Sequence, residues 1–175
     1  MKKVYRVLLF ALLCLFALGG FAGADPKAYE LYGFVDPSGK LTESERATLD
    51  ERLEEIFDSF GLSVFLCLLS GEDVAMSEYV QDFYEQCVAP WLAPEGEIDD
   101  CLIFAWDEKT GVNHAVPFSA SGGLVMDAFT PEYLDSAISS SLGSASSAYE
   151  SLCNLADALQ KRAEEFFGPG AAGEF

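Results

Sequence analysis

Two stretches of this chain, Leu62–Leu69 and Cys101–Trp106, are almost uninterrupted runs of apolar side chains. A strand with one wet face alternates apolar and polar residues, so runs of this kind predict strands covered on both sides. Covering both faces of a sheet takes helices above and below it, which commits the chain to an α/β architecture. Suitable helical segments flank both runs. Thr42 with Glu45 forms a capping-box pattern, and Leu49, Leu53, Ile56, Phe57 and Phe60 then recur on one helical face up to Gly61. A second helix is expected from Met76 to about Trp91, with Val80, Phe83, Tyr84, Cys87 and Val88 inward and Pro90 and Pro94 at its end.

After the second apolar run, Asp107–Gly111 is a turn sequence and Val112–Phe118 alternates like a half-exposed strand. Pro117 can donate nothing to a ladder, so this strand is expected to end early or to lie at an edge. Ser119–Gly123 reads as a flexible loop. Thr130-Pro131 opens a third helix that Gly143 breaks, and Ala148–Phe167 forms the last one. Residues 25–41 read as a loop. The order helix, strand, helix, strand, strand, helix, helix predicts a three-layer α/β/α sandwich on a small mixed central sheet.

The amino terminus has the layout of a secretory leader. Lys2, Lys3 and Arg6 precede an apolar stretch from Val7 to Leu18, and Ala22-Gly23-Ala24 offers a small-residue cleavage site. Residues 1–24 are therefore expected to be a signal peptide cleaved after Ala24, which makes the protein secreted or extracytoplasmic. An uncleaved anchor is the competing reading. Residues 25–167 form the expected domain, and 168–175, rich in Gly and Ala, a disordered tail. No later stretch is long and apolar enough to span a membrane.

The 175-residue chain has 29 acidic residues against 10 basic ones, a formal charge of −19. Loss of the leader leaves seven basic residues and a charge of −22. Such a surface repels nucleic acid and anionic lipid and attracts cations or a basic protein partner. Plain solubility by mutual repulsion accounts for it equally well. Cys67, Cys87, Cys101 and Cys153 follow the leader. Export permits disulfides, four cysteines allow three pairings, and Cys67 and Cys101 are candidates to face one another across neighbouring strands. Buried free thiols are the alternative, and no close cysteine pair marks a zinc site.

Carboxylates recur in the expected loops at Asp36, Glu72, Asp73, Asp99, Asp100 and Asp127. Hard cations take six to eight oxygens, which such loops can supply, although no EF-hand spacing is present and a solvated acidic rim is the plainer reading. His114, the single histidine, shares a strand face with Val112, Val116 and Phe118, as a packed histidine does. No Gly-x-Ser-x-Gly elbow and no Gly-rich phosphate loop occur. Phosphate approaching so acidic a surface is repelled unless a metal reverses the local charge, so any phosphatase chemistry here has to be metal-assisted.

Three segments together resemble the TPM-domain family, which includes a thylakoid acid phosphatase and many exported bacterial proteins. They are Val35-Asp36-Pro37-Ser38-Gly39-Lys40-Leu41-Thr42 ahead of a Glu/Arg-rich helix, Asp99-Asp100-Cys101-Leu102-Ile103-Phe104, and Gly122-Gly123 followed by Asp127. The resemblance spans roughly residues 30–165. It implies an α/β/α sandwich, a divalent-cation site (Ca2+ first, Mg2+ second) and, in some members, acid phosphatase activity. By position, the implied metal ligands are Asp36, Asp99, Asp100 and Asp127. The chain departs from the family pattern at Cys101, where glycine is usual, and at Phe118-Ser119-Ala120-Ser121. It also lacks the usual arginine on the hairpin's second strand. The resulting expectation is an exported, cation-binding interaction or assembly module at the cell envelope. A metal-dependent acid phosphatase and a plain acidic scaffold are the alternatives.

Overall fold

The computed structural model describes residues 31–71, 74–89, 100–119 and 123–168. The leader, its cleavage site, Asp99 and nearly all of the expected tail lie outside these residues.

Four strands form one sheet in the order β1 (Gly33–Val35), β2 (Ser63–Leu69), β3 (Asp100–Asp107), β4 (Asn113–Ser119). The first three are parallel and β4 runs antiparallel to β3. Both apolar runs are indeed doubly covered: every residue of β2 is buried, and every residue of β3 after Asp100. The sheet is mixed and flanked by helices on both sides, so the expected three-layer α/β class holds. β1 is a correction, because Gly33–Val35 falls in the stretch expected to be a loop. β4 is the edge strand anticipated from Pro117, and it continues past the proline to Ser119.

Helix α1 (Glu43–Phe60) begins with the expected capping box and ends at Gly61, which takes the left-handed φ of 66° that glycine adopts without a Cβ penalty. Its Leu49, Leu53, Ile56 and Phe60 are buried on the first face of the sheet. The same face is covered by α3 (Leu124–Ala128), α4 (Pro131–Ser144) and α5 (Ala148–Phe167). The five-residue α3 lies where no helix was expected. The second face is closed by α2 (Met76–Phe83), continued by a π-helical turn over Tyr84–Val88. Met76, Tyr79, Val80, Phe83 and Val88 pack there on Phe65, Cys67, Leu69, Cys101, Ile103 and Ala105. Tyr84 stacks on Phe118 with ring centroids 4.0 Å apart, tying that turn to the edge strand.

From β1 to β2 the chain crosses the first face through α1, and from β2 to β3 it crosses the second through α2. Both crossovers step the same way across the sheet, so they have opposite hands, and one of them departs from the right-handed rule. The strand register also sets the distance between edges. The carboxyl edge carries the ends of β1 to β3, and the amino edge carries Asp100 and the end of β4.

Cys67 pairs with Ala105, and Cys101 with Ser63. The two sulfurs therefore share a face but sit four residues apart along the strands, roughly 13 Å, so no bridge joins them. Cys67, Cys101 and Cys153 are buried free thiols. Burial pushes Cys67 and Cys101 up to about 12, as expected of inert core thiols.

Candidate functional site at the amino edge

The expected carboxylate ligands do not converge on one loop. Asp36 follows β1 at the carboxyl edge, where its side chain is fully enclosed. Its Oδ2 accepts from the Leu41 N–H at 2.9 Å and from Arg46 Nη2 at 3.0 Å, while Oδ1 accepts from Ser38 Oγ at 3.1 Å. A carboxylate bonded in this way closes the turn that launches α1. Asp100 lies at the opposite edge: Val35 is level with Cys67 and Ala105, five residues beyond Asp100 along β3. Asp36 and Asp100 are thus roughly 20 Å apart.

Asp107 ends β3 on the Asp36 side and is almost entirely enclosed. Its Oδ1 accepts from the Gly71 N–H at 2.8 Å and the Lys109 N–H at 3.0 Å. Burial pushes its carboxyl up, but these donors and the Thr110 hydroxyl and N–H outweigh it and hold the carboxyl below its ordinary value. The carboxyl edge is therefore a braced structural rim, with Lys40 paired to Glu108 across it.

The amino edge has a different arrangement. Asp100 opens β3 directly opposite Ser119, the last residue of β4. Strand alternation points both side chains to the first face, under the start of α3. Gly123, the residue before α3, lies against this pair. A Cβ on it would stand 2.6 and 2.8 Å from the Asp100 carboxylate oxygens and 2.7 Å from Ser119 Oγ, so only glycine fits without displacement. The Gly123 N–H donates to Ser119 Oγ at 2.6 Å. Among the described residues, Asp100 Oδ1 is enclosed by protein and accepts no hydrogen bond. An enclosed carboxylate oxygen lacking a donor costs on the order of 1–3 kcal/mol or more, a cost that a bound cation relieves.

Asp127 is exposed on α3, four residues after Gly123. Of the four expected ligands, then, Asp100 lies at the amino edge, Asp127 is exposed on the helix that starts there, Asp36 lies at the opposite edge, and Asp99 lies outside the described residues. Gly123, part of the third segment of the family resemblance, and Ser119, which lies where the chain departs from the family pattern, join the site without having been expected as ligands or contacts. Among the described residues no three His, Cys, Asp or Glu side chains come together as a metal cluster. The donors present are hard oxygens, carboxylate and hydroxyl, which suit calcium or magnesium and not a soft metal. His114 is half-buried on the second face opposite Ala105, away from this corner.

The fold and this corner define a class: a small three-layer α/β domain with an acidic, oxygen-lined corner at the amino edge of its sheet. The BA42 protein of the psychrophilic bacterium Bizionia argentinensis is similar in structure, with a TM-score of 0.60 at 8% identity over 79% of this chain and 90% of that one. The N-terminal domain of a P. gingivalis protein gives 0.60 at 11% identity, over 83% and 88% of the two chains. The N-terminal domain of the cg2496 protein of Corynebacterium glutamicum gives 0.54 at 14%, over 82% and 86%. At these identities the likeness is one of fold. No protein-family model matches the chain, and neither does any curated protein. Among the described residues no helix is long and apolar enough to cross a membrane.

Proposed function

We propose that this protein is an exported, TPM-like domain that binds a divalent cation at its amino edge and serves as an acidic interaction module at the cell envelope. The observation that carries the proposal is the enclosed Asp100 Oδ1, which has no donor among the described residues. A bound cation would satisfy it. Asp100 falls in the second of the three segments that resemble the family, and the fold likeness to the three solved domains agrees with that resemblance. Asp100 and Ser119 Oγ are the protein ligands. Asp99, its neighbour in the chain, and Asp127 are candidates to complete the set, with water in the remaining positions. Asp36 is left out, because its oxygens already hold Leu41, Ser38 and Arg46.

Few protein oxygens imply weak binding, on the order of millimolar. Calcium at about ten times its dissociation constant then raises the melting temperature by about 4 °C, and a chelator reverses the rise. A melting temperature indifferent to calcium, magnesium and chelator alike removes the cation from this account.

A further inference from the structure

The helix that starts at the Asp100 corner presents apolar side chains to solvent. Leu124 and Met126 are 48% and 52% exposed, while Val125 and Ala128 of the same helix are buried. Asp127 is exposed between them and the next helix, whose Glu132 and Asp135 are exposed as well. The nearby guanidinium of Arg162 is drawn to Glu165, its Nη1 3.9 Å from Oε2. Arg162 donates through Nε to the Ala128 carbonyl at 2.7 Å and lies 4.9 Å over the Tyr133 ring and 5.6 Å over the Phe166 ring. Two apolar side chains beside exposed carboxylates match a segment that is itself apolar and basic. Lysine and arginine stems cover apolar surface while their heads reach charge.

We propose that α3 is the docking surface for a basic, apolar-containing segment of a partner protein. A lysine or arginine of that segment takes the Asp100 corner in place of the divalent cation. Cation and partner then exclude one another, and by linkage each weakens the other by the same factor. This rests on the cation reading of the corner and adds to it the partner's chemistry and its regulation. A metal-bridged anionic membrane is the competing occupant. It requires the cation instead of competing with it, and it meets the repulsion of the whole −19 chain.

The test uses two short peptides of equal charge, one alternating lysine with leucine and the other lysine with glycine, titrated into the full chain at physiological salt. The lysine–leucine peptide is expected to bind about tenfold tighter, the worth of two half-exposed apolar side chains becoming covered. Leu124→Gln with Met126→Gln removes that advantage, whereas Val74→Gln with Val112→Gln, at the opposite edge, preserves it. Calcium raises the peptide's dissociation constant. An advantage that survives the α3 pair, or is lost with the control pair, overturns the docking surface. Calcium that binds with measurable heat but leaves peptide affinity unchanged overturns the shared corner and spares the cation site. Absence of any calcium heat sinks the cation reading and the exclusion together. Binding to phosphatidylglycerol vesicles only when calcium is present gives the surface to a membrane and ends the proposal.

Discussion

Gly123 and Asp100 approach so closely that a methyl group on the glycine would stand 2.6 Å from a carboxylate oxygen. Gly123→Ala must therefore push the corner apart, at an expected cost of about 1–3 kcal/mol, and it should abolish the calcium-dependent rise in melting temperature. Asp36→Ala separates structure from site. It leaves Arg46 and the Leu41 N–H without their acceptor, which should cost about 2 kcal/mol in a denaturant titration while the calcium response persists. Asp100 could be named from the sequence because a carboxylate directly before a buried strand stands at the sheet's edge. Asp36 could be named as a loop carboxylate and through the family resemblance, and the chemistry of the two then diverged for a reason invisible in the chain. One carboxylate meets two donors within its own turn and Arg46 from the start of α1, while Oδ1 of the other meets none among the described residues. Gly123 and Ser119 stand in segments that bear on the family resemblance, but their role at the corner was not legible there, because it comes from tertiary approach across β3, β4 and α3.

The helices and strands that dominate the core were legible because their patterns are long. The β2 and β3 runs and the Leu49, Leu53, Ile56 and Phe60 face of α1 each repeat the same signal several times. β1 is three residues whose pairing is supplied wholly by β2, and α3 is one short turn with no side-chain cap, so neither has a pattern to read. Over Tyr84–Val88 the expected second helix continues as a π turn, a change of winding that the apolar spacing does not announce. Thr42→Ala is expected to cost about 1 kcal/mol, measured by urea unfolding, through loss of the α1 cap. The acid response follows from the same elements. Hydrogen bonds from Thr42 hold Glu45 below its ordinary value, and those from Ser146 do the same for Glu150. Asp107 is lowered too, its burial outweighed by its donors. Groups with depressed folded values lend stability above their unfolded values and lose it as pH falls through the folded ones, so melting should drop below about pH 4. Asp50 runs the other way. Burial raises it, against the Phe34 N–H and Arg46, so Asp50→Asn should raise the melting temperature at pH 7 and give less benefit in acid.

At the scale of the whole molecule, excess negative charge, the two-sided sheet and the edge-to-edge distance act together. The register keeps the braced carboxyl rim and the open amino corner roughly 20 Å apart, so ions at one edge do little to the other beyond a Debye length. The charge draws cations and basic segments to the surface in general. Among the described residues, the corner of Asp100, Ser119 and Gly123 alone couples an enclosed, donorless carboxylate oxygen to a place where one could bind. Calorimetric titration of calcium into the native chain and into Asp100→Asn tests that claim most directly. The native protein should give a single saturable heat that Asp100→Asn lacks while keeping the same fold by circular dichroism. Equal heats from the two proteins, or none from either, would contradict it.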